Sequence, residues 1–439
     1  MKLVKMSLLA ATLIATSAFA IDNVKVAGDA NLYYSTNDGV VTPAEGITNA
    51  NPDASLFDDG SSSAQASIHL GVTADLTEGI STGLAGYGLT SLGLYNTIVT
   101  NIWETSVLDG NNINNAGWIS EAWLAGTMGK TTAKIGLMEL DTPMVYTEKW
   151  STAANTFGAA VLINQDLPGT TLVGAYVGQS NGSASSINTS DLQGLVGATP
   201  TGTLGYGGVI NGTGKMGSFY SGAYAAGVVN NSWEPLTVQA WYYQAQSVMN
   251  AYWLQADLKI VGLDLGLQYA GQDFGGLIAD ADSESVFAGK IGYEMKDVFT
   301  ISGAYSQVAD NNGFGNVGMN LATLGQSKLY TEAWWNYGYI TQADTSSFNI
   351  SLTTPEALTW ASLGLFYTDA NQGDGGKQVG TGNKGTDMSE IAVTASKTFG
   401  PVDTSLVYFS TTADDQNIKS GDTKGSAYNT VQVYLTYNF

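Results

Sequence analysis

The chain closes with "YNTVQVYLTYNF", residues 428–439. In an extended backbone, successive side chains point to opposite faces. Val431, Val433, Leu435, Tyr437 and Phe439 therefore share one face, and Thr430, Gln432, Tyr434, Thr436 and Asn438 share the other. The apolar ladder runs to the final Phe439 with no polar tail to cover it. Such a strand fits the last stave of a barrel whose apolar face meets lipid.

The other end of the chain agrees with export. "MKLVKMSLLAATLIATSAFA", residues 1–20, carries Lys2 and Lys5, an apolar run from Leu8 to Ala15, and the small-x-small site Ala18-Phe19-Ala20. This is the layout of a cleavable secretory signal. The apolar run is too short to span a bilayer as a helix, and no later stretch approaches the roughly 18 apolar residues that a membrane helix needs. Cleavage is expected after Ala20, leaving residues 21–439 as the mature domain.

Composition narrows the class. Cysteine is absent, which excludes a disulfide framework and thiolate metal sites. Glycine is abundant (54), proline scarce (8) and tyrosine high (23), a bias toward strands and tight turns. All 16 basic residues are lysine, against 38 acids. Two lysines leave with the signal, so the mature balance is 14 − 38 = −24. No basic patch offsets this charge, so nucleic acid is not an expected partner, whereas cations would be attracted.

Most of the mature chain repeats with period two. In "VKVAGDANLYYS" (24–35), Val24, Val26, Ala30, Leu32 and Tyr34 face one way, and Lys25, Asp29, Asn31 and Tyr33 the other. In "AQASIHLGVTADL" (64–76), the ladder Ala64 to Leu76 alternates with Gln65, Ser67, His69, Thr73 and Asp75. The pattern recurs at 236–244, 251–259, 263–270 and 298–306. Short links at 77–80, 129–131, 166–169, 260–262, 295–297, 354–356 and 399–401 alternate with long polar links at about 36–61, 92–116, 179–217, 272–284, 308–345, 369–386 and 412–425. Turns at one end and long loops at the other are the signature of an outer-membrane barrel. Backbone polar groups in lipid must all be paired, so strands of this kind must close on themselves.

Aromatics add to the case. They gather near strand ends, at Tyr33-Tyr34, Trp241-Tyr242-Tyr243, Tyr252-Trp253, Tyr269, Tyr293, Phe299, Tyr305, Tyr367, Tyr408, Tyr437 and Phe439. Amphipathic rings settle at headgroup level and form girdles. A first parse of the strands comes out odd, whereas two periplasmic termini need an even count. The conflict lies in "SKLYTEAWWNYGYI" (327–340), which reads as a strand but would invert every later turn. It is therefore assigned to a long outer loop. The expectation is an all-β transmembrane antiparallel barrel of eighteen strands, with sixteen as the alternative. A barrel of that width leaves an aqueous channel.

A family resemblance rests on "ISEAWLAGTMGKTTAKIGLMELDTP" (119–143) and "NTFGAAVLINQDLPGTTLVGAYVG" (155–178), with support from 327–340 and "AYNTVQVYLTYNF" (427–439). These stretches resemble the porins of the campylobacterial (epsilonproteobacterial) outer membrane. The resemblance implies a monomeric or trimeric diffusion channel. It also implies that the loop after the fifth strand, here Asp141–Thr156, folds inward and narrows the pore. Porins of this kind usually carry an arginine in the strand entering that loop. Leu137 stands near there, and the chain has no arginine, so any transverse field must come from lysines or from acids alone.

Candidate site residues follow. Glu139, Asp141, Glu148 and Lys149, with Tyr146 and Trp150 as packing or lining groups, are expected at the constriction. Charges in a narrow channel with low-dielectric walls act strongly on ions. Phase places Asp29, Asp75, Glu121, Asp257, Asp264 and Glu390 on the lumen wall, with Lys25, Lys134, Lys259, Lys290 and His69. A lysine on the lipid face at mid-bilayer would cost about 2–4 kcal/mol, which drives these groups inside or toward an end. Acids outnumber lysines in this set, so a cation preference is expected. Tyr437 and Phe439 resemble the terminal signal read by the outer-membrane assembly machinery.

The acid-rich stretches 55–63 and 280–285 offer clustered oxygens for Ca²⁺, without EF-hand spacing. No metal site or other cofactor is expected, and His69 has no second histidine to pair with. Nucleophile elbows and phosphate loops are missing, which argues against an enzyme. The expected partners are small hydrophilic solutes and ions, outer-membrane lipid and lipopolysaccharide, the assembly machinery, and two further copies in a homotrimer. The leading function is passive diffusion through a porin. The alternatives are a surface structural or adhesive protein on a plugged barrel, and a secreted soluble β protein.

Overall fold

The computed structural model describes residues 21–39, 55–95, 97–100, 108–109, 112–113, 115–182, 216–246, 248–275, 283–310, 316–323, 325–373, 385–419 and 422–439. The predicted signal and most of the longest outer loops lie outside them.

Eighteen strands form one antiparallel sheet. In chain order they are β1 Asp22–Asn37, β2 Ser62–Thr77, β3 Ile80–Thr90, β4 Ala116–Met128, β5 Thr131–Met138, β6 Phe157–Asn164, β7 Thr170–Ser180, β8 Gly217–Trp233 and β9 Leu236–Ala245. They continue as β10 Met249–Ile260, β11 Leu263–Phe274, β12 Glu284–Met295, β13 Phe299–Val308, β14 Thr345–Thr354, β15 Ser362–Gln372, β16 Asp387–Phe399, β17 Val402–Ala413 and β18 Tyr428–Asn438. Each strand pairs with the next in sequence. β1 also pairs with β18, from Asp29 opposite Asn438 to Asn37 opposite Thr430, and this closes the barrel. The terminal aromatic strand is thus the closing stave, and Phe439 exchanges backbone hydrogen bonds with Gly28 at 2.9 Å.

The turns at one end are short because their residues accept the required backbone. Val261 and Gly262, between β10 and β11, both have positive φ (48° and 82°). Two positive values in a two-residue link are the type I′ pattern, whose twist matches the flanking strands. Alternation then sorts the side chains. Ile68, Leu84, Leu124, Ile135, Leu267 and Ile291 are exposed on the outer face. Tyr176, Tyr224, Tyr242, Tyr269, Tyr305 and Tyr408 ring the loop end of that face, and Trp233, Tyr293, Trp360, Phe399, Tyr437 and Phe439 the turn end. Such an apolar belt between two aromatic girdles suits a bilayer.

Two expectations need correction. Tyr33, Trp241, Tyr243 and Trp253 are not girdle residues, because all four are buried inside the barrel. Neighbours along a strand face opposite sides, so only one of each aromatic pair can reach lipid. The segment 327–340 is not a strand, as expected, but neither does it stay outside. It leaves the loop end after β13 and folds back into the lumen, where Tyr337–Thr341 forms a short 3₁₀ turn.

The interior is therefore partly filled. Met138, Met144, Phe157, Trp253, Val317 and Ile340 pack into one buried cluster between wall and loops. Each fully buried large apolar side chain contributes about 1.5–3 kcal/mol, enough to hold loops in place across a wet lumen.

Candidate functional site: two segments that meet inside the barrel

The first segment, 139–156, joins β5 and β6, which are the shortest staves at 8 residues each. It begins as a small hairpin. Asp141 and Tyr146 form an antiparallel bridge, Thr147 N–H donates to Leu140 O at 2.8 Å, and the Thr142 hydroxyl donates to Val145 O at 2.7 Å. Pro143, which has no N–H to offer, sits at the tip. The tip reaches β9, where Met144 N–H donates to Tyr243 Oη at 3.3 Å. The returning limb touches a different part of the wall. Ser67 Oγ of β2 donates to Thr152 O at 2.7 Å, and Tyr434 Oη of β18 donates to Trp150 O at 3.5 Å. A segment that touches β9, β2 and β18 crosses the lumen.

The second segment joins β13 and β14, and its described residues 316–323 and 325–344 lie along the inner wall. Tyr330 N–H donates to Gln268 Oε1 at 3.0 Å, and Tyr330 Oη donates to Asp257 Oδ1 at 2.6 Å. Gly266 of β11 leaves room for this ring, because a Cβ there would overlap it. Further along, Trp335 stacks on Phe409 at 5.6 Å and meets Trp150 edge-on at 5.9 Å. Leu321 N–H donates to Met144 O at 2.8 Å, which joins the two segments by their backbones.

Charged groups sit in two settings. The exposed setting holds ion pairs: Lys149 Nζ with Glu139 Oε2 at 2.6 Å, and Lys328 with Asp141, whose side chain is 88 % exposed. The buried setting holds carboxylates that accept several hydrogen bonds. Glu148 accepts from the Thr323 hydroxyl at 2.5 Å, Asn320 Nδ2 at 3.0 Å, Gln326 N–H at 3.1 Å and Trp150 Nε1 at 2.9 Å. Glu390 of β16 accepts from Trp335 N–H at 2.9 Å and Asn336 N–H at 3.1 Å. Glu332 accepts from Ser327 N–H at 3.1 Å. Burial pushes the Glu148 carboxyl above its ordinary range, against the pull of its donors. It pushes Glu332 well above that range, and the nearby charges of Glu148 and Glu390 add to the effect.

A closed barrel with lumen-crossing segments matches known architectures. No family model and no curated protein matches the sequence. Solved structures do. OpdK of Pseudomonas aeruginosa, solved with vanillate, superposes with a TM-score of 0.69 at 13 % identity, covering 95 % of this chain and 99 % of its own. OccK8 (OprE) of the same organism gives 0.69 at 12 %, covering 96 % and 99 %. A BenF-like porin of Pseudomonas fluorescens Pf-5 gives 0.70 at 10 %, covering 95 % and 99 %. The fold is that of the outer-membrane porins.

Within this porin fold the sequence-predicted residues fall into separate groups. Lys290 is brought between Asp264 (3.1 Å) and Asp257 (3.6 Å), with its ammonium 4.6 Å from the Tyr330 ring centroid. His69 stacks on Tyr87 at 4.3 Å and lies 3.5 Å from Asp29. Lys134 sits over Trp123 at 4.0 Å, within electrostatic reach of Glu121 and Glu139. Asp75 accepts from Asn23 at 2.6 Å near the turn end. Lys25 and Lys259 are exposed near that same end and join none of these groups. At the first segment, Glu139, Asp141 and Lys149 reach solvent, whereas Tyr146 (5 % exposed) and Glu148 (2 %) are buried. In the acidic stretch 55–63, Asp58 Oδ2 is taken by Ser55 N–H at 3.1 Å. Most of 280–285 lies outside the described residues or within β12, and among the described residues no group of three or more acids or histidines is placed to hold a metal.

Lys328, Tyr330, Glu332 and Trp335 were not singled out from the sequence. A signal was present: 327–340 carries two tryptophans and three tyrosines among polar neighbours. A loop bathed in water has no use for such apolar area, so the stretch needed a buried destination.

Proposed function

We propose that this chain is an outer-membrane channel for passive diffusion of small hydrophilic solutes and ions, with a preference for cations. The observation that carries this reading is the pairing of the lysines that lie at or beside the two lumen segments. Lys290, Lys328 and Lys149 each sit against at least one carboxylate, and no arginine is present to add free positive charge. Asp141 at the eyelet stays open to solvent despite its pairing. Vanillate, the carboxylate bound in OpdK, would meet little unpaired positive charge here. The finer likeness to campylobacterial porins, a homotrimer, contact with lipopolysaccharide (with Ca²⁺ shared between its phosphates and the loop acids) and recognition of Tyr437 and Phe439 by the assembly machinery belong to the same proposal.

One observation favours a second reading. The stretch 325–344 fills part of the lumen from β10 to β17, as a plug would in a scaffold for surface loops. Single-channel recording in a planar bilayer under a KCl gradient decides. The channel reading expects open-channel current with a cation-selective reversal potential. Anion selectivity would overturn the cation preference, and a folded barrel that passes no current would favour the plugged scaffold.

A further inference from the structure

The two lumen segments come from well-separated parts of the wall, between β5 and β6 and between β13 and β14, and carboxylates hold them where they meet. Glu148 of the first segment gathers the side chains of Asn320 and Thr323 and the backbone N–H of Gln326, all from the second. Glu390 of the wall gathers the backbone N–H groups of Trp335 and Asn336, the Asn336 amide (2.7 Å) and the Thr411 hydroxyl (3.2 Å). Glu332 lies between these two and closes its own turn through Ser327. Glu148 and Glu390 are each 2 % exposed. Three carboxylates from three elements thus share one buried junction.

We infer that Glu148 and Glu390 are positioning residues that dock segment 316–344 across the lumen, and that docking takes up protons, so that acid holds the segment in place and alkali loosens it. The inference rests on the channel reading. The groups that face the junction are Tyr146, Asp141 and Lys149 on the first segment, Glu332, Lys328 and Tyr337 on the second, and Glu390 on the wall. Lys149 and Lys328 are tied to Glu139 and Asp141. The carboxylates repel one another, and burial removes the water that would screen them. The sign follows from linkage. Glu148 and Glu332 are raised from the ordinary value of 4.5 when docked. Docking therefore draws full benefit below that value and loses it as pH climbs through the raised range.

The test is open-channel current noise in planar bilayers between pH 5 and pH 8. In the unaltered protein, fluctuations should rise toward pH 8. The triple variant E148Q/E332Q/E390Q keeps an acceptor oxygen at each position without charge, and it should be as quiet at pH 8 as the unaltered protein is at pH 5. A second variant guards against a folding artefact. Met144 and Leu321 share a 2.8 Å backbone hydrogen bond, and the chain has no native cysteine. M144C/L321C should form a disulfide that silences the alkaline noise until a reductant is added. Noise that does not change with pH, or that persists in both variants, would overturn the inference. The reversal potential is read from the same traces. A cation-selective pore with pH-independent noise removes the proton-coupled docking and leaves the channel reading intact. A barrel that passes no current removes both.

Discussion

The two lumen segments have different foundations. The first, 139–156, is a hairpin slung between two 8-residue strands, and its own backbone ties at 140–147 give it shape before it touches the wall. The second also carries backbone ties among its described residues: the bridge between Met319 and Ser327, Asn320 N–H to Gln326 O at 2.8 Å, and Val317 N–H to Thr341 O at 3.0 Å. It differs in its many contacts along the wall, with Gln268, Asp257, Glu390 and Phe409. One segment is a bracket that spans the lumen, and the other a lining that lies along the wall. The lining depends on the bracket at Glu148 and Met144, so damage should spread in one direction more than the other.

The largest expected effect tests that asymmetry. Replacing 316–340 with a short Gly-Ser linker should leave the barrel intact, because β13 and β14 keep their mutual register from Thr300 opposite Thr353 to Gln307 opposite Ser346. Conductance should rise about twofold as one of two lumen elements is lost. Heat-modifiable migration on a gel checks the barrel, and planar-bilayer recording checks the pore. An unchanged conductance would mean that the segment does not narrow the path.

A smaller effect is expected from Glu148→Ala. The change removes the acceptor for four donors at once. A buried donor left without a partner costs about 1–3 kcal/mol. The second segment should come loose, and the folded band should melt at a lower temperature. Glu148→Gln keeps an acceptor and should cost clearly less. The asymmetry fails if the two variants melt alike.

The same contrast explains what the sequence disclosed. Strand alternation is local. Val431 to Phe439 declares its apolar face within a single strand, and the number and order of the staves follow from many such stretches. The stretch 141–156 stood out in the sequence only through a family likeness carried by the strands on either side. The lining was not, because its bonds join distant positions. Glu148 and Thr323 lie 175 residues apart, and no periodicity links them. Even the choice between an exposed acid and a buried one was invisible. Glu148 and its neighbour Lys149 look like a solvated pair, yet the backbone turns one inward to Thr323 and the other outward to Glu139.

Exposed pairs should matter for selectivity rather than for shape. Lys328→Gln releases Asp141 from its partner at the mouth of the lining. Exposed pairs contribute about 0–1 kcal/mol, so the melting temperature should scarcely move. Cation preference should increase modestly, and the increase should fade in concentrated salt, where screening shortens the reach of each charge. A reversal potential that stays constant at low salt would show that Asp141 lies off the ion path.

Tyr146→Phe should have the smallest effect, and for that reason it separates packing from lining. The Tyr146 ring carries the Lys328 ammonium 4.6 Å from its centroid, and phenylalanine preserves that face. Its hydroxyl is buried with no hydrogen-bond partner among the described residues. Removing a buried polar atom that makes no bond relieves a desolvation cost, so stability should hold or rise by up to about 1 kcal/mol. If Tyr146 only packs the bracket, conductance and selectivity will match those of the unaltered protein. A change in either would place its hydroxyl on the solute path, and the bracket would then have to open far enough to expose it.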